Sequence, residues 1–240
     1  MGKEPKFRHE LKYLISAAQL PLLKSRIACI MQPDAHAGAD GIYTIRSLYF
    51  DDYYDTCYYE NENGTDPREK FRIRIYNHSA QRITLECKRK DHGKTLKISC
   101  PLTVPQTQLL MQGKPLPEED LHHPLLRKIN LQIKTRMLHP TVIVEYDRIP
   151  YIYRNGNVRV TFDMNMASSG DVSEFLSDTI AKRPIMPAGQ HLMEVKFDEY
   201  LPDFLYRSLN LGQLQHTAYS KYYLCRKYGL FKQEDNHDIF

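Results

Sequence analysis

Hydrophobic and polar residues alternate with a period of two in eight segments of the chain, and this alternation predicts eight β-strands. The segments are residues 7–15, 42–50, 71–76, 82–90, 94–99, 141–148, 157–163 and 192–197. Apolar residues at helical spacing predict six helices, over residues 16–31, 105–111, 124–134, 172–181, 202–211 and 218–227. This mixture of elements predicts an α+β fold.

Charged residues recur on the polar faces of the predicted strands. They are Arg8, Glu10 and Lys12, then Arg72 and Arg74, then Glu86, Lys88 and Lys90, then Arg159 and Asp163, and finally Glu194 and Lys196. In a single strand, such alternation usually marks the solvated face of an antiparallel sheet. The predicted amphipathic helices, however, need an apolar sheet face to cover, and about eight strands suffice to close a small barrel. The combination favours a closed antiparallel eight-stranded barrel with helices packed outside and the charged faces inside.

A barrel interior lined by charge cannot be an ordinary core, because unpaired buried charge is too costly. It must hold water, ions or a polyanionic ligand. Arginine binds phosphate oxygens in a bidentate manner, lysine adds positive charge, and carboxylates bind Mg²⁺ or Mn²⁺ together with substrate phosphates. The pattern therefore indicates a site for a chain of phosphates with a divalent metal.

The composition says more about the cellular compartment of the protein than about its binding partner. The 240 residues contain 33 Lys and Arg against 29 Asp and Glu, so an anionic partner has to be bound by local clusters of charge. The five cysteines form no CxxC pair, which argues against a disulfide framework or a zinc site and favours the cytoplasm. The sequence shows no signal peptide and no apolar run long enough to cross a membrane. We predict one domain over residues 1–231 and a disordered polar tail over residues 232–240.

Eight short motifs resemble, in order and spacing, those of a known family. They are FRHELKYLI, YTIRSLYFDD, KFRIRIY, TLECKRK, VIVEYDR, VRVTFD, LMEVKF and SKYYL. The set resembles the VTC domain, the polyphosphate polymerase domain of the vacuolar transporter chaperone family, within the triphosphate tunnel metalloenzymes or CYTH-like superfamily. The resemblance covers about residues 7–228 and implies a tunnel that binds ATP or polyphosphate with Mn²⁺ or Mg²⁺. It also implies a stand-alone bacterial member.

The resemblance also implies roles for individual residues. It assigns the catalytic basic positions to Lys12, Arg72, Arg74, Lys88, Arg148 and Arg159. It assigns substrate binding to Lys97, Lys196 and Lys221, and metal binding to Glu194, with Glu10 and Glu86 as weaker candidates. Two positions depart from the family pattern: Arg8 replaces the first glutamate of the ExExK strand, and Ser99 stands where relatives often carry a cation.

Three functions remain open from the sequence. The leading prediction is a polyphosphate polymerase that transfers the γ-phosphoryl group of a nucleoside triphosphate to a growing chain, because the terminal phosphate is already ionised and needs no general base. A tripolyphosphatase or nucleoside triphosphatase would use the same tunnel, and a non-catalytic polyphosphate- or inositol-phosphate-binding module would not need Glu194. No nucleic-acid partner is expected, because Arg89 alternates to the face opposite Lys88 and Lys90 and no stacking motif accompanies them.

Overall fold

The computed structural model describes residues 6–38 and 40–234, which form ten β-strands and six α-helices. The strands are β1 (His9–Ser16), β2 (Gln32–Pro33), β3 (Tyr43–Asp51), β4 (Arg68–Tyr76), β5 (Ser79–Asp91), β6 (Lys94–Leu102), β7 (His139–Tyr153), β8 (Val158–Ser169), β9 (Arg183–Pro184) and β10 (Gln190–Phe197). The helices are α1 (Gln19–Ala28), α2 (Thr56–Glu62), α3 (Val104–Met111), α4 (Pro124–Arg136), α5 (Asp203–Ser208) and α6 (Lys221–Glu234).

Eight of the strands form one curled antiparallel sheet in the order β1-β10-β8-β7-β3-β4-β5-β6, while β2 pairs with β7 and β9 with β8. The sheet is open, which corrects the predicted closed barrel. Among the described residues, the backbones of the two sheet edges pair only at Arg8, just before β1, and Thr95 of β6, which exchange two hydrogen bonds of 2.9 Å. Because β6 begins directly after the hairpin turn at Gly93, it has no residues left to pair with the rest of β1. The loop before α6 covers part of that edge instead, where Thr217 N donates to Lys12 O at 2.9 Å.

The helices cover the convex face of the sheet, where the apolar residues of each strand point. On one half, α3 and α4 contribute Leu110, Leu126 and Ile129 to a cluster with Leu48, Ile73, Ile75 and Leu85. On the other half, α1 and α5 contribute Leu23, Ile27 and Leu205 to a cluster with Ile15, Val160, Phe162, Met193 and Val195. Since period-two alternation sends the intervening residues to the opposite side, the charged residues of the predicted site lie on the concave face. Arg46 and Glu145 are an exception, because they form a buried ion pair on the convex side.

The last helix closes one end of the concave face. Tyr222 and Cys225 of α6 are buried in a third apolar cluster, with Ile45, Val144 and Leu192 of the sheet. The concave face is thus apolar at the end that α6 fills and charged over the remainder.

Each of the eight predicted strands corresponds to a main strand of the sheet, with ends that differ by up to six residues. Residues 172–181, predicted as a helix, form only a 3-10 turn over Val172–Leu176, and α2 was not predicted. Helix α6 continues through Glu234, while residues 235–240 of the predicted tail lie outside the described residues. In the part of the chain that the structure describes, no helix has the length and apolar character needed to span a bilayer.

Candidate functional site

The concave face brings the predicted site residues other than Arg159 together in three groups, each organised around carboxylates. Strand register explains the grouping, because Glu194 lies between Lys12 on one neighbouring strand and Thr161 on the other. Likewise, Arg72 lies opposite Glu86, and Lys88 lies opposite Lys97. Residues that are far apart in the chain thereby share one surface.

The first group surrounds Asp163, whose side chain is completely buried. Arg148 binds it in a bidentate manner, with Nε to Oδ1 at 2.6 Å and Nη2 to Oδ2 at 2.7 Å. Lys221 Nζ lies 2.7 Å from Asp163 Oδ2 and 2.8 Å from Glu194 Oε1, so it joins the two carboxylates. Lys196 Nζ lies 3.2 Å from the other oxygen of Glu194. The start of α6 is therefore fastened to the sheet by charge.

The second group surrounds Glu86 on β5. Arg72 Nε donates to Glu86 Oε2 at 2.7 Å, and Lys97 Nζ donates to Oε1 at 2.8 Å. Arg74 is held mainly by hydroxyls: its Nε donates to Ser47 Oγ at 3.1 Å and its Nη2 to Tyr146 Oη at 3.3 Å. The side chain of Lys97 is about half exposed (49%), which places this cation at the open edge of the sheet.

The third group surrounds Glu10 on β1. Lys88 Nζ donates to both carboxylate oxygens of Glu10, at 2.9 and 3.0 Å. Lys12 Nζ lies 3.2 Å from Glu10 Oε1 and also donates to the carbonyl of Tyr219 at 2.7 Å. Lys196 Nζ lies 3.6 Å from Glu10 Oε2, which connects this group to Glu194.

The carboxylates of the site are held ionised. Burial raises the pKa of Glu10, Glu86, Asp163 and Glu194, but the adjacent lysines and arginines lower it more, so each pKa lies below its usual value. The pKa of Lys88 falls to about 7, because burial disfavours its ammonium more than Glu10 favours it. Glu10 stays ionised in either state of Lys88, since Lys196 and Lys12 also lie close to it.

Arg159 lies on β8, opposite Lys196 of β10 and outside the three groups. Its Nη2 lies 2.7 Å from Asp34 Oδ2 and donates to the Tyr43 hydroxyl at 2.9 Å. Its Nε is buried and has no hydrogen-bond partner. The guanidinium therefore has an N–H group that no protein atom accepts from, and a phosphate oxygen could accept this hydrogen bond.

Several site residues were not selected from the sequence. The sequence places Asp163 on the same face of β8 as Arg159, but it gives no reason to assign a function to this carboxylate. Tyr146, Ser47 and Asp34 gave no signal, because single hydroxyls and a loop carboxylate have no distinctive spacing. Arg8, the departure from the family pattern, pairs with Asp198 at 2.8 Å, and Ser99 is exposed on β6.

The structure does not bring Glu10, Glu86 and Glu194 into one metal site. Among residues 6–38 and 40–234, no group of three or more His, Cys, Asp or Glu is arranged to hold a metal ion. Glu194 and Asp163 do approach a common point, since both contact Lys221 Nζ, and the Thr161 hydroxyl beside Glu194 is buried without a partner. Two carboxylates and a hydroxyl are donors that fit Mg²⁺ or Mn²⁺ when substrate phosphates complete the coordination.

Comparison with solved structures supports the fold. A candidate adenylyl cyclase from Hippeastrum, described as having a dominant triphosphatase activity, aligns with a TM-score of 0.51 and 12% identity over 92% of this chain and 95% of its own. A candidate adenylate cyclase from Bacillus halodurans aligns with a TM-score of 0.47 and 16% identity over 86% and 88% of the two chains. No curated protein matches the sequence. The VTC domain model matches residues 7–228, and the chain therefore belongs to the VTC domain family.

Proposed function

We propose that this protein is a polyphosphate polymerase that transfers the γ-phosphoryl group of ATP or another nucleoside triphosphate to a growing polyphosphate chain. One observation carries the proposal: a concave face with cations from seven strands and α6 in a member of the VTC domain family. These cations are Lys12, Arg72, Arg74, Lys88, Lys97, Arg148, Arg159, Lys196 and Lys221. The proposal places the reaction in the cytoplasm, which fits five free thiols.

Phosphoryl transfer depends mainly on positioning and charge neutralisation, and this site supplies both. Arg72 and Arg74 present guanidinium forks side by side, held by Glu86, Tyr49 and Ser47. Such preorganised donors lose little entropy when they bind phosphate oxygens. When a triphosphate binds along this face, the arginines would exchange their contact with Glu86 for contacts with phosphate oxygens. Their hydrogen bonds to Tyr49 and Ser47 would keep the guanidinium groups in the same orientation.

A divalent metal belongs to the proposal. Glu194 and Asp163 would hold it, and when bound it would neutralise charge on the phosphoryl oxygens as the transferred group moves. In the described site, Lys221 and Arg148 already occupy these two carboxylates. Metal binding would therefore require Lys221 to exchange a carboxylate for a phosphate oxygen.

The acceptor needs no activation by the protein. The terminal phosphate of a polyphosphate chain is ionised near neutral pH, and the four carboxylates of the site are engaged by cations with a lowered pKa, which makes them poor general bases. This favours an ionised phosphate over water as the nucleophile.

A triphosphatase is the second candidate, supported by the triphosphatase activity described for the Hippeastrum protein. A non-catalytic phosphate-binding module is the third possibility.

The test incubates the purified protein with ATP and Mn²⁺ and measures long polyphosphate and free phosphate separately. We expect long chains in the parent and a loss of turnover of at least about a hundredfold in Glu194→Gln, the scale of losing one transition-state contact. Polyphosphate affinity in chelator should be kept or increased in this variant, because a negative charge has left an anion site. Free phosphate alone would identify a hydrolase, and neither product would identify a binding module.

A further inference from the structure

The row of cations on the concave face extends beyond the residues assigned to the reaction. On β4, Arg68 and Lys70 precede Arg72 and Arg74 at period two and so share their face. On β5, Lys90 follows Lys88 in the same way. Residues two apart on a strand are separated by about 6.7 Å, so Arg68 lies roughly 13 Å beyond Arg72 along β4.

The register places like charges directly opposite one another at this end of the sheet. Arg68 lies opposite Lys90, and Lys70 lies opposite Lys88. Like charges at opposed positions of an antiparallel pair are destabilising. Compensating anions, either from the protein or from a ligand, would stabilise such an arrangement.

For three of these cations the described part of the protein supplies no carboxylate at ion-pair distance. Within the described ranges, neither Arg68 nor Lys70 nor Lys90 forms an ion pair with a carboxylate, whereas Lys88 is bound to Glu10. Arg68 Nη1 donates only to the carbonyl of Thr65, at 2.8 Å. Asp51 and Glu60 act on Lys70 only at longer range, in contrast to the reaction site, where carboxylates contact their cations directly.

Lys70 shows the strain of this arrangement most clearly. Its Nζ donates to neutral oxygens, Asn61 Oδ1 at 3.0 Å and Ser220 Oγ at 3.4 Å, and lies 4.9 Å from the centre of the Tyr222 ring. Burial lowers its pKa to about 8, and the positive charge of Arg68 adds to that shift. An anionic ligand would relieve the repulsion among the three cations.

We propose that Arg68, Lys70 and Lys90 form an extension track that binds the phosphates of a chain reaching beyond the reacting triphosphate. The inference rests on the proposed function in one respect, since it takes the adjacent concave face as the triphosphate site. Arg68 and Lys90 are half-buried, so a ligand can reach them. The Tyr222 ring beneath Lys70 is buried and offers no face for a nucleobase, which favours a bare phosphate chain over single-stranded nucleic acid.

The test compares chain lengths in a variant that removes the two accessible cations, Arg68→Gln with Lys90→Gln. Calorimetry in chelator measures the affinities for long-chain polyphosphate and for tripolyphosphate. We expect the affinity for the long chain to fall by about tenfold or more and that for tripolyphosphate to change by less than about twofold. Lys94→Gln is the matched control, because Lys94 lies exposed on the same hairpin and alternates to the other face. It should change neither affinity by more than about twofold.

Three results would overturn the track: equal loss for both ligands, no loss for either, or an equal loss in the Lys94→Gln control. Single-stranded DNA bound as tightly as long polyphosphate would show a general polyanion surface and would also overturn it. Thermal unfolding shows whether the double variant is folded. If it is not, the two single variants replace it, and each should lose affinity for the long chain by about threefold. If the parent protein makes no polyphosphate while the double variant shows the length-dependent loss of affinity, the proposed reaction is rejected and the track is retained.

Discussion

Asp163 illustrates how the site depends on a single buried residue. Its two oxygens hold Arg148 and Lys221, which come from β7 and α6. Removing one partner of a buried ion pair leaves the other charge desolvated without compensation, at about 3–5 kcal/mol. Because Glu194 also contacts both cations, part of the compensation survives when Asp163 loses its charge.

We therefore expect Asp163→Asn to lower the free energy of unfolding by about 3 kcal/mol, the lower end of the range for a broken buried pair. Urea unfolding at neutral pH measures the difference. The matched control is Asp198→Asn, which disrupts a more exposed pair with Arg8 and should change stability by less than about 1 kcal/mol. Similar values for the two variants would show that Asp163 does not hold α6 to the sheet.

Among the elements, α2 depends most on residues outside its own sequence. The carboxylate of Asp51 accepts from the backbone N of Cys57 at 2.8 Å and of Tyr58 at 3.1 Å, which lie in the first turn of α2. The same carboxylate accepts a hydrogen bond from the Tyr222 hydroxyl of α6. Asp51 thus joins the end of β3, the start of α2 and the helix that closes the concave face.

Asp51→Asn should lower the free energy of unfolding by about 2 kcal/mol, because the amide keeps only one acceptor oxygen and loses the charge that strengthens each bond. Tyr222→Phe removes only the link to α6 and should lower it by about 1 kcal/mol. Urea unfolding of both variants and of their combination gives the coupling between the two residues. Strictly additive losses would contradict a direct link between α2 and α6.

The difference between predicted and observed elements follows from where the stabilising contacts originate. Strands with an apolar face and a charged face were readable from the sequence, because alternation with period two leaves a local signal. Helix α2 was not readable, since its cap is provided by Asp51 at the end of a strand rather than by a residue at its own start. The sheet is open because β6 begins where it can pair only with the residue just before β1. The relative position of these two strands is not encoded by any local sequence pattern.

The same reasoning applies to the site. The cations of β4, β5, β8 and β10 could be placed on one face from alternation alone. Which carboxylate binds which cation could not, because Lys88 meets Glu10 across 78 positions of sequence, and β9, β10 and α5 lie between Asp163 and Lys221 in the chain. The metal assignment of Glu10 and Glu86 came from the resemblance. Lys196 contacts both Glu10 and Glu194, whereas Glu86 lies in a separate cation group.

At the scale of the whole molecule, two lysines should control the response of stability to pH. The pKa of Lys88 lies near 7 and that of Lys70 near 8 in the folded protein, because burial disfavours their ammonium groups. In the unfolded chain a lysine has a pKa of about 10.4. Between about pH 7 and 8.5 the unfolded chain therefore binds more protons than the folded one, and stability rises with pH.

Urea unfolding at several pH values in this window checks the expectation, and Lys88→Met should flatten the rise. The window ends near pH 8.5, where unfolded cysteine thiols begin to ionise while burial raises the pKa of Cys57 and Cys225 in the folded protein. Stability that falls between pH 7 and 8.5 in the parent would show that both lysines remain charged when folded.

The carboxylates of the concave face act as built-in counterions. A phosphate chain that enters the site displaces oxygens fixed to the protein instead of ions free to diffuse away, so binding should release few ions there and depend only weakly on salt. Within the described residues, Arg68, Lys70 and Lys90 have no carboxylate in direct contact, so ions from solution contribute more to balancing their charge. The affinity for a long chain should therefore fall more steeply with salt than the affinity for a triphosphate.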